Sequence, residues 1–90
     1  MRSLIEKSIA HYGHHNQILQ FYEELNELGA AVNHYKRNKI TKEELVKEIG
    51  DVFIMIEYIK VLFDIDDVDI SKSIIRSKER LEFKIKNNEL

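Results

Sequence analysis

The chain has 90 residues, of which 43% are hydrophobic and 33% charged, and its formal net charge is -2. That length suffices for one small domain, residues 1-90, whose core buries only about 60 to 65% of the unfolded surface, and the composition excludes a disordered chain. The absence of cysteine excludes disulfides and thiolate zinc sites, and the weakly acidic balance excludes a general attraction to nucleic acid or anionic lipid.

The N-terminal segment does not have the pattern of an export signal. Glu6 and Lys7 stand where a signal peptide needs an apolar run. The longest apolar run elsewhere, residues 52-56, is too short to cross a bilayer. The sequence therefore predicts a cytoplasmic protein with no membrane partner.

Hydrophobic periodicity indicates helices in the first half of the chain. It predicts a short amphipathic helix over residues 3-12, a break at Gly13, and a long helix over about residues 16-37. In the long helix apolar residues recur at alternating steps of three and four: Ile18, Phe21, Leu25, Leu28, Val32 and Tyr35. Such a stripe predicts a face that packs on another helix.

A second long helix is predicted over about residues 42-63. Thr41 and Glu44 have the spacing of a capping box, which marks its start. A hairpin of two helices leaves some of its apolar residues without cover inside a chain of this size. We therefore expect a homodimer or homotetramer that covers Phe53, Ile54, Ile56 and Phe63.

The last predicted helix covers about residues 70-86 and follows an acidic turn. Asp67 or Asp69 is its expected N-cap. Four helices with short connections predict an all-α fold, an antiparallel helical bundle built on a long helical hairpin and completed by oligomerisation.

Four helical acids, Glu23, Glu24, Glu27 and Glu48, have no lysine or arginine three or four positions away. Glu24 and Glu27 lie one turn apart on one helix, and Glu48 and Asp51 do so on the next. Of these two pairs only Asp51 has a basic residue, Lys47, three or four positions away. Because like charges at this spacing repel, and a hairpin can bring both pairs together, the pattern predicts a site for Mg²⁺ or Mn²⁺.

Two glycines inside helices lie close to these acids. Gly29 and Gly50 each cost about 1 kcal/mol relative to alanine, so we expect them to permit tight helix packing or ligand access. The alternative is that the acids are ordinary solvated residues and the glycines only pack helices.

Together these residues resemble a known enzyme family. Gln17, the segment EELNEL at residues 23-28 and the segment EIGDV at residues 48-52 are similar to the MazG-like branch of the all-α nucleoside triphosphate pyrophosphohydrolases. That family is marked by ExxE on one helix and ExxD on the next. Here the two motifs are Glu24-x-x-Glu27 and Glu48-x-x-Asp51.

The resemblance implies cleavage of a nucleoside triphosphate between its α and β phosphates, which gives a monophosphate and pyrophosphate. It implies that the Mg²⁺ ligands, with Mn²⁺ as a substitute, are Glu24, Glu27, Glu48 and Asp51. It makes Glu23 and Glu24 the catalytic carboxylates, with Glu23 orienting or deprotonating water, and Gln17 a nucleotide contact. Lys78 and Arg80 are candidate phosphate contacts, although the segment SKER departs from the KxxR spacing of the family.

Two other interpretations compete with this one. The first is a non-catalytic helical dimerisation or regulatory module that has the fold alone. Within the fold, a phosphoribosyl-ATP pyrophosphohydrolase uses similar acids on a different substrate. Tyr12, Tyr22 and Tyr35 are candidates for lining a base pocket.

Overall fold

The computed structural model describes residues 1-88, and within them the chain is helical, with no strand. The helices are α1 (Arg2–Tyr12), α2 (His14–Lys36), α3 (Lys42–Leu62) and α4 (Asp67–Lys86). The all-α fold expected from the sequence is therefore confirmed. Each helix lies within a few residues of its predicted range, and the differences fall at the ends.

Local sequence explains where the helices start. Gly13 separates α1 from α2 with a φ of 92°, a conformation that glycine adopts at little cost. The Thr41 side chain accepts a hydrogen bond from the backbone N–H of Glu44 at 3.1 Å, so the predicted cap of α3 is confirmed. The expected cap of α4 at Asp67 or Asp69 was wrong. Asp66 is the cap, since its carboxylate accepts from the Val68 N–H at 2.9 Å, and α4 starts three residues earlier than predicted.

Helices α2 and α3 form an antiparallel hairpin, and α1 packs against both. The start of α2 faces the end of α3, since Gln17 lines the same groove as Met55 and Tyr58. The phenol of Tyr58 donates a hydrogen bond of 2.6 Å to the Ser8 hydroxyl and so ties α3 to α1. The buried apolar residues of the described chain come from these helices and are Ile5, Ala31, Val52 and Met55.

Helix α4 departs from the expected bundle. None of its Cα atoms lies within 8 Å of α1, α2 or α3, and it contains no buried residue. Its start is held by Lys60, whose ammonium group pairs with Glu57 and with Asp67. A single chain thus packs three helices and leaves the fourth apart, while completion of the bundle by oligomerisation stays a prediction.

Within residues 1-88, every helix is too short or too polar to span a bilayer.

Candidate functional site

Three of the four predicted metal ligands converge where α2 and α3 pack together. Glu24 and Glu27 lie one turn apart on α2, and Glu48 reaches them from α3. Carboxylate oxygens of these three residues all lie within 4.8 Å of one another. The antiparallel hairpin therefore gathers acids that are separated in the sequence, as the two motifs predicted.

Two oxygens of this cluster are shielded from solvent and have no hydrogen-bond donor within residues 1-88. They are Oε2 of Glu24 and Oε2 of Glu48. The other Glu24 oxygen, Oε1, accepts a hydrogen bond from Gln20 Nε2 at 2.9 Å. Because a buried polar atom without a partner costs about 1 to 3 kcal/mol, and more when it is charged, the cluster favours a positively charged ligand.

The electrostatics of the cluster point in the same direction. The charge of Glu24, partial desolvation and the charge of Glu48 all raise the pKa of Glu27 above its ordinary value of 4.5. Lys47 is the nearest cation, with its Nζ 3.6 Å from an oxygen of Glu48. Its side chain is 67% exposed, and an ion pair at such a position contributes little. The excess negative charge is thus only partly offset.

Asp51, the fourth predicted ligand, lies outside the set of oxygens within 4.8 Å. Its Oδ2 accepts a hydrogen bond of 2.8 Å from Lys47 Nζ, and this bond is the main reason that the pKa of Lys47 is raised. The i,i+4 spacing of these two residues had indicated the pair. The assignment of Asp51 as a metal ligand stays a prediction.

An open groove of about 620 Å³ runs beside the acids between α1, α2 and α3. Gln17, Glu23, Glu24 and Asp51 all line it, so the structure brings these predicted site residues together. Gln17 is buried, which is unusual for a glutamine and places its amide at the wall of the groove. Glu23 is exposed there and is free to contact water.

The groove also has wall residues that the sequence did not indicate. They are Ser8 and Tyr58, which are joined by their hydrogen bond. Tyr12, which the sequence did indicate as a candidate for lining a base pocket, also lines the groove. No periodicity or spacing links Ser8 to Tyr58, because the contact depends on how α1 crosses α3. Gln20 is different, since its spacing to Glu24 could have revealed the hydrogen bond. Tyr22 and Tyr35, the other candidates for a base pocket, do not line this groove.

Lys78 and Arg80 are far along α4, which stands apart from the hairpin. Arg80 donates a hydrogen bond of 3.0 Å to the Ser77 hydroxyl, and neither basic residue lines the groove of its own chain. A phosphate contact from Lys78 or Arg80 would therefore require another arrangement of α4 or another copy.

The two helical glycines do not mark a tight contact. A Cβ atom added at Gly29 or Gly50 would meet nothing within 4 Å. Of the two expected roles, tight helix packing is therefore not observed in the single chain, and ligand access stays a prediction. The space leaves room for a ligand beside either position.

The donor set itself fits Mg²⁺ or Mn²⁺, because these hard cations take carboxylate oxygens and the cluster offers several. The chain matches no protein-family model, no curated protein and no solved structure among those with which it was compared.

Proposed function

We propose that this protein is a divalent-cation-dependent nucleoside triphosphate pyrophosphohydrolase. The observation that supports the proposal best is the pair of shielded carboxylate oxygens of Glu24 and Glu48, which have no donor within residues 1-88. Ordinary solvated acids direct both oxygens to water, whereas these converge on one point from two helices. The resemblance of the two motifs to the MazG-like family supplies the reaction class.

Glu24, Glu27 and Glu48 would hold the cation, and Asp51 is the candidate for a further ligand on the groove side. A divalent cation bound there supplies positive charge for the phosphate oxygens and the departing pyrophosphate, and it makes a nearby water molecule more acidic. In the reaction the oxygen of one water bonds to the α phosphorus, and the bond from that phosphorus to the bridging oxygen breaks. The products are a monophosphate, which keeps the water oxygen, and pyrophosphate, which keeps the bridging oxygen.

The residues of the groove have separate tasks in this proposal. Glu23 is exposed at the wall and accepts a proton from the attacking water. The buried amide of Gln17 donates a hydrogen bond to the nucleotide and helps to orient it. Because Glu23, Glu24 and Asp51 give the groove negative charge, the polyanionic substrate enters it only together with a cation.

One observation favours the rival function, a non-catalytic dimerisation module. Helix α4 is amphipathic and has no partner in its own chain, which is typical of a helix that binds another protein. A phosphoribosyl-ATP pyrophosphohydrolase is a further alternative because it would use the same carboxylates. A substrate assay separates these three functions.

The decisive experiment is a pyrophosphate-release assay on the full chain with a panel of canonical and modified nucleoside triphosphates and phosphoribosyl-ATP. Each substrate is tested with Mg²⁺, with Mn²⁺ and with EDTA. Activity that needs the cation and is lost in Glu48→Gln would support the proposal. Glu43→Gln is the matched control, since Glu43 lies on the same helix, is exposed and takes no part in the cluster. If no substrate yields pyrophosphate with either cation, the result would favour the dimerisation module.

A further inference from the structure

A second apolar face of α3 lies beside the face that packs on α2. We call it the α3 stripe; its residues recur at steps of three, four, three and seven, and they are Val46, Ile49, Phe53, Ile56 and Phe63. All five are exposed, and Phe53 is exposed by 67%. This spacing is typical of a helix that packs along its length on another helix.

Helix α4 has a matching α4 stripe. Its residues recur at steps of four, seven and four, and they are Ile70, Ile74, Leu81 and Ile85. Phe83 is also apolar and 60% exposed, but it lies two positions after Leu81 and therefore on another side of the helix. Its neighbours there include Arg76, Glu79 and Arg80.

Part of each stripe lines one common groove. Phe53 and Ile56 of α3 and Asp67 and Ile70 of α4 line a groove of about 430 Å³ where the two helices meet. Since Ile70 is the first residue of the α4 stripe, the helical repeat turns Ile74 and Leu81 toward the same side. The helices then diverge, because no Cα atom of α4 comes within 8 Å of α3. The result is a wedge with apolar residues on both walls.

We propose that a second copy of this chain fills the wedge with its own α4, and that the exchange is reciprocal. The α3 and α4 helices of two copies then pack as four helices around a shared core. A helix that covers the α3 wall along its length must be apolar on one side and about as long as α3. Helix α4 meets both conditions, since it has an apolar stripe and 20 residues against the 21 of α3. A two-fold axis makes both contacts identical.

The available area is sufficient for a stable dimer. Eight side chains of the two stripes are between 38% and 67% exposed: Val46, Ile49, Phe53, Ile56, Phe63, Ile74, Leu81 and Ile85. At roughly 100 Å² each they offer about 800 Å² per copy, which is what one partner contributes to a standard interface. The single chain gives α4 little packing, since the helix contains no buried residue, and most helical stability in proteins comes from packing of an amphipathic face.

Charge along α4 agrees with the reciprocal arrangement. The first turn carries Asp67 and Asp69, and the last turn carries Lys84 and Lys86. When the two-fold axis is perpendicular to α4, the two α4 helices run antiparallel and the acidic end of one copy lies near the basic end of the other. Parallel packing would place like charges together.

The test is sedimentation equilibrium of the full chain from about 1 to 200 μM, with helix content followed by circular dichroism. We expect a dimer with twice the chain mass of 10.7 kDa. Phe53→Lys on one wall and Ile74→Lys on the other should each raise the dimer Kd by about 100-fold or more, because each buries a charge in the interface. Phe83→Lys is the control, because Phe83 is also an exposed apolar residue of α4 but lies outside the wedge. This substitution should change Kd less than about threefold.

Several outcomes would overturn the inference. A wild-type monomer over the whole range, or a dimer that Phe53→Lys and Ile74→Lys leave intact, would exclude the reciprocal interface. Binding of the monomeric wild type to anionic phospholipid vesicles, lost in Ile74→Lys, would assign α4 to a lipid surface instead. Should the lysine variants lose helix content at all concentrations, Phe53→Ala and Ile74→Ala replace them, with an expected rise in Kd of about tenfold. The measurement of mass is independent of the proposed activity, so either can fail alone.

Discussion

The α2–α3 hairpin and helix α4 have similar amphipathic patterns in the sequence but opposite environments in the structure. In the hairpin, Val52 and Met55 are buried and the acids of two helices meet. In α4, Ile74 and Leu81 stay about half exposed. The difference teaches that periodicity identifies a face that needs cover, whereas the identity of the partner depends on connections and helix directions. A short connection such as residues 37-41 brings α3 back along α2, whereas the turn before α4 directs it away.

Truncating one apolar residue in each region tests this difference in burial most directly. Met55→Ala should lower the free energy of unfolding by about 2 to 5 kcal/mol, because it leaves a cavity under the hairpin. Ile74→Ala should cost less than about 1 kcal/mol at the lowest protein concentration that urea denaturation allows. Equal losses at that concentration would mean that α4 packs on the core of its own chain.

The two regions also differ in how their carboxylates are neutralised. Glu24 has other acids around it, whereas Glu82 on α4 has Lys78 and Lys86 four positions away on either side. Glu24→Gln should lower turnover at least 100-fold while leaving the stability in EDTA unchanged or a few tenths of a kcal/mol higher, because repulsion is relieved.

Glu82→Gln should do the reverse, with near-normal turnover and a slight loss of stability. Urea denaturation in EDTA and pyrophosphate release on both variants make the comparison. A loss of more than about 1 kcal/mol in Glu24→Gln would show that Glu24 makes a structural hydrogen bond.

Cation binding should stabilise the hairpin. A ligand that binds only the folded state adds RT ln(1 + [L]/Kd), which is about 1.4 kcal/mol at tenfold excess over Kd. Thermal unfolding with Mn²⁺ should therefore give a higher Tm than unfolding with EDTA, and Glu48→Gln should lose most of the increment. Glu43→Gln should keep it. An equal increment in all three proteins would place the cation elsewhere.

The smallest expected effect is a pH dependence centred on Glu27. The folded protein holds this proton more tightly than the unfolded chain, since neighbouring Glu24 raises the pKa of Glu27 above 4.5. Below about pH 4.5 the residue is protonated in both states, and above the raised pKa its ionisation disfavours the fold. In EDTA, the stability of Glu27→Gln relative to wild type should therefore rise as the pH increases from about 4.5 through the raised pKa of Glu27. A difference that stays constant with pH would contradict the raised pKa.

Much of this molecule follows from local chemistry. The break at Gly13 and the cap at Thr41 could be predicted because each depends on a few adjacent residues. The acid cluster could be predicted because a helix repeat and a hairpin suffice to bring Glu24, Glu27 and Glu48 together.

The remaining features depend on geometry that the sequence does not encode locally. The start of α4 was misplaced because the run of Asp64, Asp66, Asp67 and Asp69 offers several caps of the same chemistry. The hydrogen bond between Ser8 and Tyr58 depends on the crossing of α1 over α3. Gly29 and Gly50 suggested close packing from propensity alone, but the helices approach elsewhere.

Because α4 stands apart, the free energy of local opening should differ between α4 and the rest of the fold. Hydrogen exchange reports the opening of separate cooperative units, and a unit with no buried side chain opens at little cost. In dilute solution the amides of α4 should exchange close to the rate of an unfolded peptide, while those around Val52 and Met55 exchange only with global unfolding. Protection of α4 that increases with protein concentration would reveal that the helix acquires its order from another molecule.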